Sequence, residues 1–376
     1  MVPRTIAPML AMLDGTRNPD ALRTGFLLRT GIQLDSSQVD AFIKSLDDAF
    51  LLDNQRFQGA MAKVMDNYHA GPFRPSSLAG NSYPSNGDEL REAFDDYCSN
   101  ANADAGGQVL KDGDAGSKRI AGLISPHIDY NRGWRTYAET WQLAHKAVED
   151  AELIILLGTD HSGSPGKLTL TRQDYATPWG QLPTDTSLVD GLVEILGEDG
   201  AFQEEVHHIG EHSVELASVW LHYFAGGKPK RMLPILCGVD ENLVENGAET
   251  NGVLQDALSF LADVVAEQNT LVVAAGDLSH VGPAFSDSLP LDLAGKARIR
   301  TSDEEWLEVA CTGSSERLAD HMRSKGDATR ICGASPIRYM LAILPETRGE
   351  VVAYDQCPAD EQFGSLVSIA GVLFTE

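Results

Sequence analysis

Cysteine is scarce and scattered. The five residues, Cys98, Cys237, Cys311, Cys332 and Cys357, are odd in number, share no CxxC spacing and stand far apart. That excludes a zinc ribbon and a disulfide-stapled scaffold, and fits a reduced, cytoplasmic protein. Basic residues are also short: 29 Lys and Arg face 55 Asp and Glu, a formal charge of −26, with no basic block to offset it. The cationic patch that displaces counterions from a nucleic acid is therefore missing, and the acidity reads as a solvated surface. No run approaches the ~20 apolar residues of a membrane helix. The longest, such as Leu153 to Leu157 and Leu271 to Ala275, have the length of buried strands. The opening MVPRTIAPMLAMLDG lacks a small-residue cleavage site, so a signal peptide is not expected. Familiar catalytic motifs are absent too. No GxGxxG follows a strand, GxSxG does not occur, HHIGEH lacks HExxH spacing, and Gly158 to Lys167 lacks the spacing of a phosphate-cradling loop.

What remains is a 376-residue chain, 43% hydrophobic and 22% charged, enough for two globular domains. Residues 1–69 read as a small helical domain, with a winged-helix-like form as one option. Asp35-Ser36-Ser37 signals a helix start, and Val39, Phe42, Ile43 and Leu46 follow helical spacing. A Gly/Pro/Ser-rich stretch from Ala70 to Pro84 marks the boundary, and a second polar loop is expected over Asn100 to Ser117. Residues 70–376 then alternate short apolar runs with longer helical patterns. Strands are expected at 120–125, 153–158, 168–171, 232–236, 271–275, 351–354 and 366–374. Helices are expected at 134–148, 187–196, 214–224, 252–266, 304–311, 316–324 and 336–344. The fold class is α/β, a mainly parallel sheet sandwiched by helices.

Three histidines stand just past predicted strands, in Ser125-Pro126-His127, Gly158-Thr159-Asp160-His161 and Asp277-Leu278-Ser279-His280. Ligands of open α/β sheets bind beyond the carboxyl ends of the strands, so parallel neighbouring strands would gather these histidines in one crevice. His212 lies in HHIGEHS before a helix, beside Glu211 and one turn from Glu215. Imidazoles with carboxylates suit iron, manganese or zinc. A lone histidine is more often structural, which is the reading for His69, His145, His222 and His321. Cys237 and Cys332 read as buried thiols rather than nucleophiles. Thr177-Pro178-Trp179-Gly180 reads as a rigid turn before a capped helix. Tyr130, Arg132 and Trp134 either line a pocket beside His127 or pack at a helix start.

Nine segments in order, FRPSSLAGNSYP, SPHIDYNRGWRTYA, ILLGTDHSG, TRQDYATPWGQLPTD, HHIGEHSVEL, LPILCG, AAGDLSHVGPAF, ICGASPI and SLVSIAGVLF, resemble the Memo family, most closely its prokaryotic members known as AmmeMemoRadiSam system protein B. The resemblance covers roughly residues 73 to 374, and the N-terminal unit looks like the helical extension of long members. It implies a fold related to the class III extradiol dioxygenases, with His127 and His161 as metal ligands and His212 as ligand or proton-transfer group. Where animal Memo proteins offer a further cysteine ligand, this chain has Ser279, inside Asp277-Leu278-Ser279-His280, a poor ligand beside a thiolate. That would weaken or empty the site unless Asp277 or His280 substituted, and each could equally orient an imidazole. Two functions follow. One is a non-haem, metal-dependent oxidoreductase using Fe(II), with Zn, Mn and Cu as other candidates and His212 as the catalytic acid or base. The other is a binding protein whose crevice takes a small molecule or peptide, in partnership with AMMECR-type and radical S-adenosylmethionine proteins.

Overall fold

Apolar runs too short for helices and too continuous for half-exposed strands require a sheet covered on both faces. The computed structural model contains that sheet, and describes residues 6–104, 119–240, 243 and 252–376. The chain forms two compact units, Met1–Ala70 and Gly71–Glu376.

The first unit is built of α1 (Ala7–Leu10), α2 (Pro19–Thr30), α3 (Ser36–Asp48) and α4 (Gln55–Ala70). Asp35 caps α3 in a reciprocal capping box with Gln38. Met9, Phe26 and Val39 are its buried centre, with Leu34, Phe42 and Ile43 packed against them. Among the described residues this unit has no strand, and so no wing of the winged-helix kind.

The second unit runs α5 (Gly87–Asp104), β1 (Ile120–Ser125), α6 (Tyr130–Asp150), β2 (Leu153–Thr159), β3 (Leu168–Leu170) and the hairpin β4 (Tyr175–Thr177) and β5 (Gly180–Leu182). It continues through α7 (Thr186–Leu196), α8 (Glu198–Phe202), α9 (His207–Gly210), α10 (His212–Phe224), β6 (Met232–Cys237), α11 (Gly252–Glu267), β7 (Thr270–Ala275) and β8 (His280–Val281). It closes with α12 (Leu293–Ala310), α13 (Ser315–Lys325), α14 (Ala334–Ile343), β9 (Arg348–Pro358) and β10 (Leu366–Thr375). The loop expected from Asn100 is corrected at its start, where α5 continues to Asp104; its remainder lies outside the described residues. Among the described residues no helix is long and apolar enough to cross a membrane.

The strand order is β3-β6-β2-β7-β1-β10-β8, with β9 paired to β10. Its centre, β6-β2-β7-β1, is parallel, and β3, β8, β9 and β10 add antiparallel flanks. Alternate residues of β2 serve opposite faces: Leu153, Ile155 and Leu157 join one core, and Ile154 and Leu156 the other. This two-sided burial is why the strand reads as an unbroken apolar run. A Leu buried on either face contributes roughly 1.5–3 kcal/mol.

Candidate metal centre

β7 lies between β1 and β2 and is parallel to both, so the segments leaving these three strands share one end of the sheet. His127 follows β1, His161 follows β2 and Asp277 follows β7. The ring centroids of His127 and His161 are 5.0 Å apart, and His212 stands 5.0 Å from His127 and 4.8 Å from His161. His212 opens α10, whose first turn presses against the end of β2 at Gly158. A Cβ on Gly158 would meet the Ser213 hydroxyl at 2.5 Å and the Val214 side chain at 2.6 Å, so glycine alone allows this approach.

Hydrogen bonds on the far side of each ring set which nitrogen faces the centre. His127 Nδ1 lies 3.1 Å from the Ala275 carbonyl, which can only accept, so Nδ1 carries the proton and Nε2 presents a lone pair. His161 Nδ1 lies 3.0 Å from a Glu211 carboxylate oxygen, leaving its Nε2 free. Glu211 also lies 3.0 Å from His212 Nδ1 and accepts from the backbone N–H groups of His161, His212 and Ser213. One carboxylate thus orients two rings.

Burial, reinforced by His212 and His161, holds the His127 imidazole well below its ordinary range, so it stays neutral and able to coordinate. Burial opposes a charge on His161 as well, but its bond to Glu211 outweighs this and raises its pKa. Glu211 would likewise be raised by burial; its bonds to His161 and His212 pull it far below the carboxylate range.

A cavity of about 460 Å³ opens onto these groups. Its wall carries His127, His161, His212, Asp277 and His280, beside an apolar side that includes Leu78, Leu216 and Phe285. All five residues expected from the sequence therefore border one space, in different roles. Asp277 Oδ1 accepts the backbone N–H of His127 at 2.8 Å and of Ile128 at 3.3 Å, while Oδ2 is 3.8 Å from His127 Nε2. His280 Nδ1 lies against the carbonyls of Leu278 and Arg330. Arg132 also borders the cavity and is paired to Asp129. Tyr130 is buried, its hydroxyl on the Leu216 carbonyl, and Trp134 stacks on Tyr97. Thr177 to Gly180 form the β4–β5 turn, where Trp179 donates to the Gly87 carbonyl.

The resemblance puts Ser279, a poor ligand, where a thiolate would stand. Ser279 is buried with its hydroxyl on Asp303, 2.6 Å away, and takes no place among the donor atoms. A thiol stands elsewhere, at Cys332, expected from the sequence to be buried rather than nucleophilic, in a group that could hold an ion. Its Sγ is 3.2 Å from His127 Nε2. Donor atoms of His127, His161 and Cys332 all lie within 4.8 Å of one another, as do those of His161, Glu211 and His212. Gly276 and Gly333 make the approach possible, because a Cβ on Gly276 would sit 2.3 Å from the Gly333 Cα. A third group, Asp160, Glu204 and His207, is satisfied internally: His207 Nδ1 lies 2.9 Å from Asp160, and Ser164 donates to Glu204.

The donor chemistry fits a divalent transition ion. Two imidazole nitrogens and a thiol suit borderline and soft cations and are wrong for Mg²⁺ or Ca²⁺, which need oxygen ligands. Burial foremost, with Asp277 nearby, pushes the Cys332 thiol up, so the thiol form prevails until a cation displaces its proton. The sequence matches the family described as Memo-like protein over residues 74–373. The chain belongs to the Memo-like protein family. Relatives in the family include a MEMO1 family protein of Aquifex aeolicus, 25% identical with 97% of this chain and 90% of the relative covered. A Thermus thermophilus MEMO1 family protein is 27% identical, with 87% and 90% covered, and one from Methanosarcina barkeri is 25% identical, with 80% and 97% covered. The Memo-like match begins at the strap that follows the helical unit, whereas the Aquifex relative spans nearly all of the chain.

Proposed function

We propose that this Memo-like protein is a metal-dependent oxidoreductase, with Fe(II) the first candidate ion. One observation carries the reading. Donor atoms of His127, His161 and Cys332 converge at the carboxyl ends of parallel strands, while Nδ1 of each imidazole is held by the Ala275 carbonyl or Glu211. When bound, such an ion would supply one-electron chemistry and open positions for an oxygen-bearing substrate.

The chain's own residues then have separable tasks. His127, His161 and Cys332 hold the ion, and Glu211 and the Ala275 carbonyl keep the imidazoles turned toward it. His212, stacked on His161 with its Nδ1 side on Glu211, is left with Nε2 to hold or move a proton of the substrate. The apolar wall of Leu78, Leu216 and Phe285 excludes water from one side of the cavity.

Elemental analysis of anaerobically purified protein tests this reading, with folding of each variant checked by circular dichroism. We expect one transition ion per chain, lost in His127→Ala and retained in His212→Ala, and a paramagnetic adduct when nitric oxide meets the ferrous form. Wild-type protein that refuses added Fe(II), or a folded His127→Ala protein that keeps its ion, would overturn it. The first of these outcomes would leave the cavity as a ligand- or peptide-binding site.

A further inference from the structure

The segment Phe73-Arg74-Pro75-Ser76-Ser77-Leu78-Ala79-Gly80-Asn81-Ser82-Tyr83-Pro84 carries family resemblance but contributes no donor atom to the metal centre. Its single charge, Arg74, is fully buried. A buried guanidinium is costly unless each donor finds a partner, and here the partners lie on one short stretch of backbone. Nε donates to the His208 carbonyl at 2.7 Å, and Nη2 to the carbonyls of Glu211 at 3.1 Å and Ile209 at 3.4 Å. Nη1 pairs with Glu215, on α10. Glu215 is itself surrounded by donors: the backbone N–H of Ser77 and Leu78 and the hydroxyls of Ser77 and Tyr83.

These carbonyls lie at the end of α9, a four-residue helix that stops at Glu211 in extended backbone. Terminal helix carbonyls have no partner within the helix, and Arg74 supplies it. The residue so fixed is the one whose carboxylate meets both His161 and His212. The same strap borders the cavity through Leu78 and Ser82. An ammonium could not take over, because these acceptors require several N–H directions in a rigid planar fork.

We propose that Arg74 is a positioning residue of the metal centre: seated on Glu215, it fixes the backbone of residues 208–211 and so aims the Glu211 carboxylate at His161 and His212. This rests on the metal-centre reading above. The test uses the full chain and Co(II), whose visible spectrum reports ligand geometry. Four proteins are compared with wild type: Arg74→Lys, Glu211→Gln, the double variant, and Tyr83→Phe. Tyr83→Phe removes one donor from Glu215 and leaves the clamp on the carbonyls intact.

Folded Arg74→Lys should bind Co(II) at least tenfold more weakly with a changed spectrum. In the Glu211→Gln background the same substitution should cost clearly less than in the wild type, and Tyr83→Phe should lower Tm while keeping Co(II) affinity within twofold. Wild-type affinity and spectrum in Arg74→Lys, or losses that simply add in the double variant, would overturn the positioning role alone. Wild-type protein that takes up no Co(II) removes the metal centre and this role with it. Should Arg74→Lys fail to fold, the wild type labelled with ¹⁵N-arginine decides. The Arg74 Nε–H resonance should shift on adding Zn(II), and an unmoved resonance overturns the proposal.

Discussion

The sulfur of Cys332 lies 3.2 Å from Nε2 of His127, across 205 residues of sequence. The contact depends on the backbones of Gly276 and Gly333 crossing where neither has a side chain, and on the Ala275 carbonyl turning the imidazole so that its lone pair faces the thiol. It changes the donor set from histidines and a carboxylate to histidines and a thiol, which favours softer ions.

Replacing that sulfur should therefore be costly for the metal and cheap for the fold. Cys332→Ser should weaken binding by at least tenfold, about 1.4 kcal/mol, with little change in Tm. Competition against a chelator of known affinity measures this, and an unchanged affinity would remove Cys332 from the ligand set.

Glu211→Gln should keep the fold and weaken metal binding by ~10–100-fold, the usual loss when a group orienting a ligating imidazole is removed. An amide can still accept from one ring, so the effect should fall short of losing His127. Titration with Zn(II), followed calorimetrically, gives the comparison.

Gly276→Ala tests the crossing itself. The new Cβ would lie 2.3 Å from the Gly333 backbone, so one segment must move, and Cys332 moves with it. The variant should lose both stability, by ~1–3 kcal/mol, and metal affinity. Urea unfolding beside a metal titration would show whether the two losses occur together, and a fully stable variant with native affinity would contradict the geometry.

A pH dependence follows from His208, which is fully buried between the Tyr175 hydroxyl on Nδ1 and the Thr169 carbonyl on Nε2. Burial foremost lowers its pKa from 6.5 to about 3. The folded imidazole stays neutral while the unfolded one takes up a proton below pH 6.5, so stability from this residue is complete above that pH. It is lost as the pH falls toward 3, and between pH 7 and 5 the loss is about 2 kcal/mol. Urea midpoints at the two pH values should show it, and His208→Gln should flatten the difference. An equal slope in that variant would assign the effect to other groups.

β1, β2, β6 and β7 were readable because two-sided burial leaves no polar residue in their interiors, and they begin and end within a residue or two of their expected bounds, whereas β9, with polar residues inside it, runs well beyond 351–354. Helices fared less evenly. α6 starts at Tyr130 rather than Trp134, because Asp129 caps it and accepts from the Arg132 N–H. α12 begins at Leu293 rather than Glu304 because its first turns are largely exposed and lack an apolar stripe. α5 went unread although Leu90, Phe94 and Ala101 are buried at helical spacing, since it sits between two turn-rich segments. His127 and His161 could be picked out because strand ends carry the chemistry of open α/β sheets, and His212 because it stands beside Glu211 before a helix. Glu211 stood in view beside His212, but nothing local distinguished it from Glu215, whose partner is Arg74.

The sequence by itself determined the α/β layering, the histidines at the strand ends and the family, because each rests on local periodicity or on ordered motifs. Only the tertiary structure decided which thiol stands beside the imidazoles, which carboxylate orients the rings and what satisfies the buried arginine. Those choices are made by contacts between residues far apart in the chain, where burial and hydrogen-bond satisfaction rather than any local pattern select the partner.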